Sequence, residues 1–350
     1  MRFVRFRESH SSEDAEGTGL ALPFRPRLGI QFDAGPDGHG GTILPLDALP
    51  GIPDDSDRAR ALDDADLAAY LAADVELVAA RAGLERLPDR SGLVIDASSV
   101  RFLAPVHRPQ KIVCIGYNYR SHVNEQQRAT PDRPALFAKW ANAIVGDGDA
   151  VITPNATHAL DLEGELGVVI GTRCRRVPAG LALAHVAGWT ALNDVTARDL
   201  QGQKVALGPD EHGDGQWARA KSSDTFLPMG PGVVTIDEVP DVSTLTIRSW
   251  RTDVQGNRVQ MQEGSPRDLI FGVAELIEFI SANITLEPGD IIATGTPSGV
   301  GVFRDPPVFL QPGDVVSVEV SGIGRVDNPI VAYDETVPEG SPATDLVVRV

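Results

Sequence analysis

The sequence predicts an α+β fold that is mainly β, with a small N-terminal domain ahead of a larger one. Three observations carry this. Apolar runs of four to six residues dominate the chain after about residue 110, and two of them follow identical Pro-Gly-Asp turns, at 288–290 and 312–314. Asp161, Glu163 and Glu165 alternate and lead into the apolar run Leu166 to Ile170, the period of a strand rather than a helix. Only one long stretch of the second zone, from about Pro266 to Ile280, has helical apolar spacing.

Residues 1–104 form the first zone, with strand-like pieces at 1–7 and 28–33 and then a helical stretch. In that stretch Leu67, Leu71, Val75 and Val78 fall at helical spacing, behind Asp63, Asp64 and Asp66 at the end where the helix dipole favours anions. Pro105 and Pro109 bracket a linker into the apolar strand Lys111 to Gly116, which opens a domain over 105–335. The helix from Pro266 carries Ser265 and Asp268 as a capping box and a stripe of Leu269, Ile270, Val273, Leu276, Ile277 and Ile280. A polar tail follows at 336–350.

Composition narrows the partners. The 350 residues carry a net charge of −18, which argues against nucleic acid and points to small molecules. No apolar run reaches the roughly 18 residues of a membrane span, and the N-terminus alternates instead of building a signal-peptide core, so a cytoplasmic protein without membrane contact is expected. Cys114 and Cys174 stand apart in apolar surroundings, which makes both of them core thiols.

A row of like charges beside a buried strand costs energy, and a hard divalent cation is the usual remedy. An exposed acidic edge strand is the bland alternative. A second segment, Gly188 to Gln201, reads as a strand running into a helix near Asp194, which would place Asp194, Arg198 and Gln201 on one helix face. His122 and Glu125 are three residues apart after a strand end, a spacing at which a carboxylate can orient an imidazole as a general base. Lys221 reads by itself as an ordinary solvated lysine, and Lys139 as a weak candidate for contacting an anion. The segment Thr294 to Gly301 is glycine-rich, but it lacks a GK[ST] ending and a following helix; a turn whose backbone approaches a bound ligand suits it better than a nucleotide loop.

Taken in order, these segments resemble the fumarylacetoacetate hydrolase family over residues 108–332. The resemblance rests on GxNYxxHxxE at 116–125, PxxFxK at 134–139, DxExEL at 161–166 and NDVTARDxQ at 193–201. It continues through KSxDTFxPxGP at 221–231, TGTPxGVG at 294–301 and GIGxxxN at 322–328. It implies a mixed β roll with a small N-terminal domain, a homodimer, and Mg²⁺ or Mn²⁺ (Ca²⁺ as a substitute) on Glu163, Glu165 and Asp194. It also implies a catalytic dyad of His122 and Glu125 with Lys221 beside it, and substrate contacts from Tyr117, Lys139, Arg198, Gln201 and Thr296.

The expected activity is metal-dependent hydrolysis of a C–C bond in an acylpyruvate-type 2-oxo acid by way of an enolate. Isomerisation or decarboxylation of an unsaturated 2-oxo diacid in aromatic catabolism is the alternative, and a non-catalytic calcium-binding protein the remote one. The stretch between Gln201 and Lys221 is several residues longer than in many relatives and is expected to form a mobile lid that narrows the substrate range.

Overall fold

The computed structural model describes residues 1–8, 25–52, 55–208 and 212–333, so the tail expected at 336–350 and part of the expected lid lie outside the described residues. The fold is α+β and mostly sheet, as the sequence predicts. Among the described residues the largest sheet has twelve strands. Its middle is built from Arg2–Glu8, Leu227–Thr235, Val186–Asn193, Gly164–Ile170, Ile291–Ala293 and Ile112–Gly116, in that spatial order. A second, five-stranded sheet contains Ile247–Thr252, Val315–Val320 and Gly324–Ala332, flanked by Arg258–Gly264 and Val151–Thr153.

Apolar burial joins the two zones. Phe3, Ile30, Leu44 and Tyr70 belong to the same buried cluster as Leu160, Leu192, Met229 and Val318. The strand Arg2–Glu8 contributes most to that junction, because it pairs with Arg27–Phe32 and also with Leu227–Thr235. Both Pro-Gly-Asp turns serve as read from sequence: Asp290 accepts from Lys111 N and Glu287 N, Asp314 accepts from Gln311 N and Arg251 Nε, and strands begin directly after each. Cys114 and Cys174 are buried, and burial pushes both thiols up in pKa.

Two helical expectations are corrected. The stretch around Leu67 splits into Ser56–Asp63, Leu67–Ala73 and Val78–Arg86, because Ala65 between the first two, and Glu76 and Leu77 between the last two, adopt positive φ and turn the chain. Val75 and Val78 therefore leave the apolar stripe and are more than half exposed. Asp66 does cap a helix, accepting from Ala68 N and Ala69 N.

The helix expected from Pro266 begins only at Val273 and runs to Ser281. Glu275 accepts from Gly272 N at its start, while Asp268 accepts instead from Ser121 N, capping the short helix Arg120–Glu125 across space. A tertiary demand outranks the local pattern there. The stripe from Val273 onward packs as expected, with Leu276 and Ile277 fully buried against Trp189 and Ile247.

Candidate active site

The acidic cluster is placed by strand register. Gly164–Ile170 pairs antiparallel with Val186–Asn193, Gly164 opposite Asn193, so the residues flanking that pair, Glu163 and Asp194, meet at one end of the ladder. Asp194 N donates to Glu163 O at 2.9 Å, and Glu163 N donates to Asn193 Oδ1 at 3.0 Å. Glu163, Glu165 and Asp194 each present a carboxylate oxygen within 4.8 Å of the others, and all three are buried. The helix face expected to carry Asp194 is absent. Asp194 follows a strand, and only Arg198–Gln201 forms a helical turn.

Asp161 leaves the alternation. The strand breaks at Leu162, and Asp161 accepts from Arg198 Nε at 2.8 Å and from the backbone N–H groups of Gly301 and Val302. Its task is to hold Arg198.

Three cations face the cluster. Arg198 Nη2 lies 2.7 Å from Glu163 Oε1, an ion pair whose N–H direction misses the line of a hydrogen bond. Lys221 Nζ donates to Glu163 Oε2 at 2.9 Å, Asp194 Oδ2 at 2.6 Å and Thr196 Oγ1 at 2.7 Å. Lys221 is therefore fully buried rather than solvated, the reverse of what its sequence context suggests. Lys139, expected to touch substrate, donates to Asp194 Oδ1 at 2.7 Å and to Val195 O, behind the cluster and away from the cavity.

These contacts divide the carboxylates. Burial alone would raise Glu163, yet Lys221 and Arg198 hold it down to about 2. Burial, then Asp194 and Glu163, push Glu165 well above the usual carboxylate range. Among the described residues Glu165 has no ion pair; its partner is Gly295 N at 2.8 Å. Hard oxygen donors with one carboxylate lacking a cation suit Mg²⁺ or Mn²⁺, so the donor set fits the metal that the resemblance implies.

The second component is the dyad. His122 Nδ1 lies 2.5 Å from Glu125 Oε1, and Glu125 Oε2 accepts from Gly299 N at 2.9 Å. Asn118 fixes the approach to this helix by donating to Phe271 O and Thr294 O and accepting from Phe271 N. The glycine-rich segment gives N–H groups to the protein's own carboxylates, Glu165, Glu125 and Asp161, while its Thr296 reaches the cavity of the site.

Both components line one cavity whose free volume of about 20 Å³ holds little more than a single water molecule, so a substrate enters only as lining side chains give way. His122 and Tyr117 line it with Glu163, Glu165, Arg198, Gln201, Lys221 and Thr296. Gln201 Oε1 accepts from Arg198 Nη1, and Thr296 is set by Gln262 Nε2 and Gly164 O.

Sequence reasoning missed the apolar wall. Trp217, from the long stretch before Lys221, meets the rings of Tyr117 and Phe137 edge-on at 5.6 and 5.3 Å. Gly116 passes beneath it, where a Cβ would stand 3.1 Å from the indole. Gln126 was missed as well. Each carried a signal: Trp217 is four residues before Lys221, and Gln126 four after His122.

Residues 111–331 match the family model described as fumarylacetoacetate (FAA) hydrolase C-terminal. The mitochondrial oxaloacetate tautomerase FAHD2A of Bos taurus is 39% identical over 332 residues, which is 95% of this chain and 92% of that protein. Its Homo sapiens counterpart is 38% identical over the same lengths. Among solved structures, fumarylacetoacetate hydrolase from psychrophilic Exiguobacterium antarcticum superposes with a TM-score of 0.70 at 32% identity, over 95% of this chain and 100% of that one. The 2-hydroxyhepta-2,4-diene-1,7-dioate isomerase from Mycobacterium marinum has a TM-score of 0.65 at 29% identity, over 96% and 100%.

Proposed function

This chain belongs to the fumarylacetoacetate hydrolase family, and on that premise we propose that it moves a proton at the carbon beside the keto group of a small 2-oxo diacid, interconverting keto and enol forms of an oxaloacetate-type substrate. The observation that carries the reading is that His122, oriented by Glu125, lines the same small cavity as the acidic cluster. Support also comes from relatives named oxaloacetate tautomerase, which align with 95% of the chain.

His122 is the group that takes the proton, and Glu125 steadies the imidazolium that results. Held by Glu163, Glu165 and Asp194, Mg²⁺ or Mn²⁺ would supply the positive charge that favours an enolate over its neutral parent. Arg198 and Gln201 offer N–H groups to the substrate's carboxylate end, Lys221, whose three N–H bonds go to Glu163, Asp194 and Thr196, adds charge alone, and Trp217, Phe137 and Phe303 keep water from the other side. Arg198 and Lys221 are buried, so their attraction for an anion is weakly screened.

Acylpyruvate hydrolysis, the activity expected first from sequence, is the second reading. The similarity to the Exiguobacterium hydrolase favours it, since the same His122 could activate water. The test is the loss of enol absorbance from oxaloacetate by Mn²⁺-loaded protein. Acceleration over buffer is expected, with a fall of roughly 10²- to 10⁴-fold in His122→Ala. No acceleration, together with cleavage of an acylpyruvate, would move the assignment to the hydrolase.

A further inference from the structure

Gln126 stands just past the helix Arg120–Glu125, four residues after His122, so one helical turn brings its side chain back over the imidazole. Its amide Nε2 lies 2.7 Å from His122 Nε2, while the other ring nitrogen faces Glu125 at 2.5 Å. An ionised carboxylate can only accept, so in that pair Nδ1 carries the hydrogen. The neutral ring then has its lone pair at Nε2, which calls for a donor, and the Gln126 NH₂ group is one. Donation runs one way, from Gln126 through His122 to Glu125, whose other oxygen is taken by Gly299 N.

The arrangement has a cost. Nε2 is the atom that would take the substrate's proton, and the protein covers it with its own amide. Gln126 lines the cavity beside His122, so it occupies space that a reacting carbon must enter.

We propose that Gln126 is a positioning residue with two effects: it holds the ring of His122, whose Nδ1–H tautomer Glu125 sets, with its Nε2 lone pair toward the cavity, and it yields that place when substrate binds. The inference rests on the reading of His122 as the proton acceptor. The charged groups around the ring are Glu125 on the same helix and, across the cavity, Glu163 with its partners Arg198 and Lys221; the ring of Phe303, 5.9 Å away, closes another side without charge.

Two substitutions separate the effects. Gln126→Ala removes the donor but leaves Glu125, which still requires the hydrogen on Nδ1: the tautomer is expected to persist, the Nε2 resonance to lose its hydrogen-bond shift, kcat to fall, and KM to fall roughly two- to tenfold because substrate no longer displaces a hydrogen bond. Gln126→Glu replaces a donor by an acceptor, which demands a hydrogen on Nε2 and holds the ring as a cation between two carboxylates. Its acid limb in the pH–rate profile is expected to move up by about one unit or more.

The primary measurement is ¹⁵N NMR of the imidazole nitrogens in the substrate-free protein, with His122 assigned by comparison with His122→Gln. A wild-type Nδ1–H signature, kept in Gln126→Ala with the Nε2 resonance moved toward that of a ring nitrogen without a donor, and replaced by a later-titrating cation in Gln126→Glu, is the expected result. A hydrogen on Nε2 in the wild type, or an Nε2 resonance and a titration that are the same in all three proteins, would overturn the proposal. This spectrum needs no turnover, so failure to act on oxaloacetate would count against the proposed function and leave Gln126 to be judged by the ring nitrogens.

Discussion

Gly295 and Gly299, four residues apart in one loop, donate their backbone N–H groups to Glu165 and Glu125, at 2.8 and 2.9 Å. One carboxylate belongs to the cation-binding cluster and the other to the proton-transfer pair, so a single turn of backbone sets the spacing between the two halves of the site. Both glycines hold positive φ, +99° and +102°, a conformation that side chains disfavour.

Gly299→Ala is therefore expected to damage both fold and activity. A Cβ there would stand 2.2 Å from Met261 O, and the strained backbone would carry its N–H away from Glu125. A loss of roughly 1–3 kcal/mol in urea unfolding is expected. Gly256→Ala, also at positive φ but with open space around its Cβ, is the control and should lose clearly less. Equal losses in the two variants would show that crowding at Met261 is unimportant.

Among the acidic ligands, stability and cation binding should come apart. Asp194→Asn leaves Lys139 buried without its carboxylate, and about 3–5 kcal/mol should be lost from the metal-free protein. Glu165→Gln removes no ion pair, so it should lose much less stability yet still abolish Mn²⁺ binding in calorimetric titration. Wild-type affinity in Glu165→Gln or Glu163→Gln would contradict the proposed ligand set.

Trp217→Ala tests the wall. Tyr117 and Phe137 would lose their edge contacts, and the cavity would widen on the side away from the carboxylates. Relative rates across 2-oxo acids of increasing length should shift toward the longer ones, with Mn²⁺ affinity changed by less than about twofold. An unchanged ranking of substrates would remove Trp217 as a determinant of size.

A pH dependence is expected at His39, far from the cavity. Its Nε2 is 2.9 Å from Asp147 Oδ2, and that hydrogen bond raises the imidazole above its ordinary value against the opposing effect of burial. A raised histidine contributes stability that is fully present below the unfolded value, near 6.5, and is lost as pH rises through the folded one. Urea midpoints should fall between pH 6 and pH 8 by more in wild type than in His39→Gln. Parallel pH profiles would remove the contact from the account.

Much of the site was legible because its chemistry is written in residue types at short spacing. Glu163 and Glu165 alternate within one strand approach, and His122 and Glu125 share a helical turn. What was misread depended on partners far along the chain. Asp161 looks like a third ligand until Gly301 and Val302, 140 residues later, claim its oxygens. Lys139 and Lys221 look solvated or substrate-facing until Asp194 draws both inward. Asp268 sits where a local cap is expected, but Ser121 provides the N–H that it accepts. Local periodicity also carried Leu67 to Val78 too far, since it holds no information on the positive φ at Glu76 and Leu77.

The strand Arg2–Glu8 is synthesised long before one of its partners, since Phe3 pairs with Val233. Val100–Leu103 takes the Arg5–Glu8 half of one edge, but at ordinary translation rates of about 5–20 residues per second the Arg2–Val4 half stays unpaired for roughly ten to forty-five seconds while Leu227–Thr235 is synthesised. During that time Arg27–Phe32 can cover the opposite edge, but the apolar surface of Phe3 and Val4 has only part of its final packing. The nascent chain therefore offers an open template for strand addition, and its yield in the cell should depend on chaperones that shield such edges.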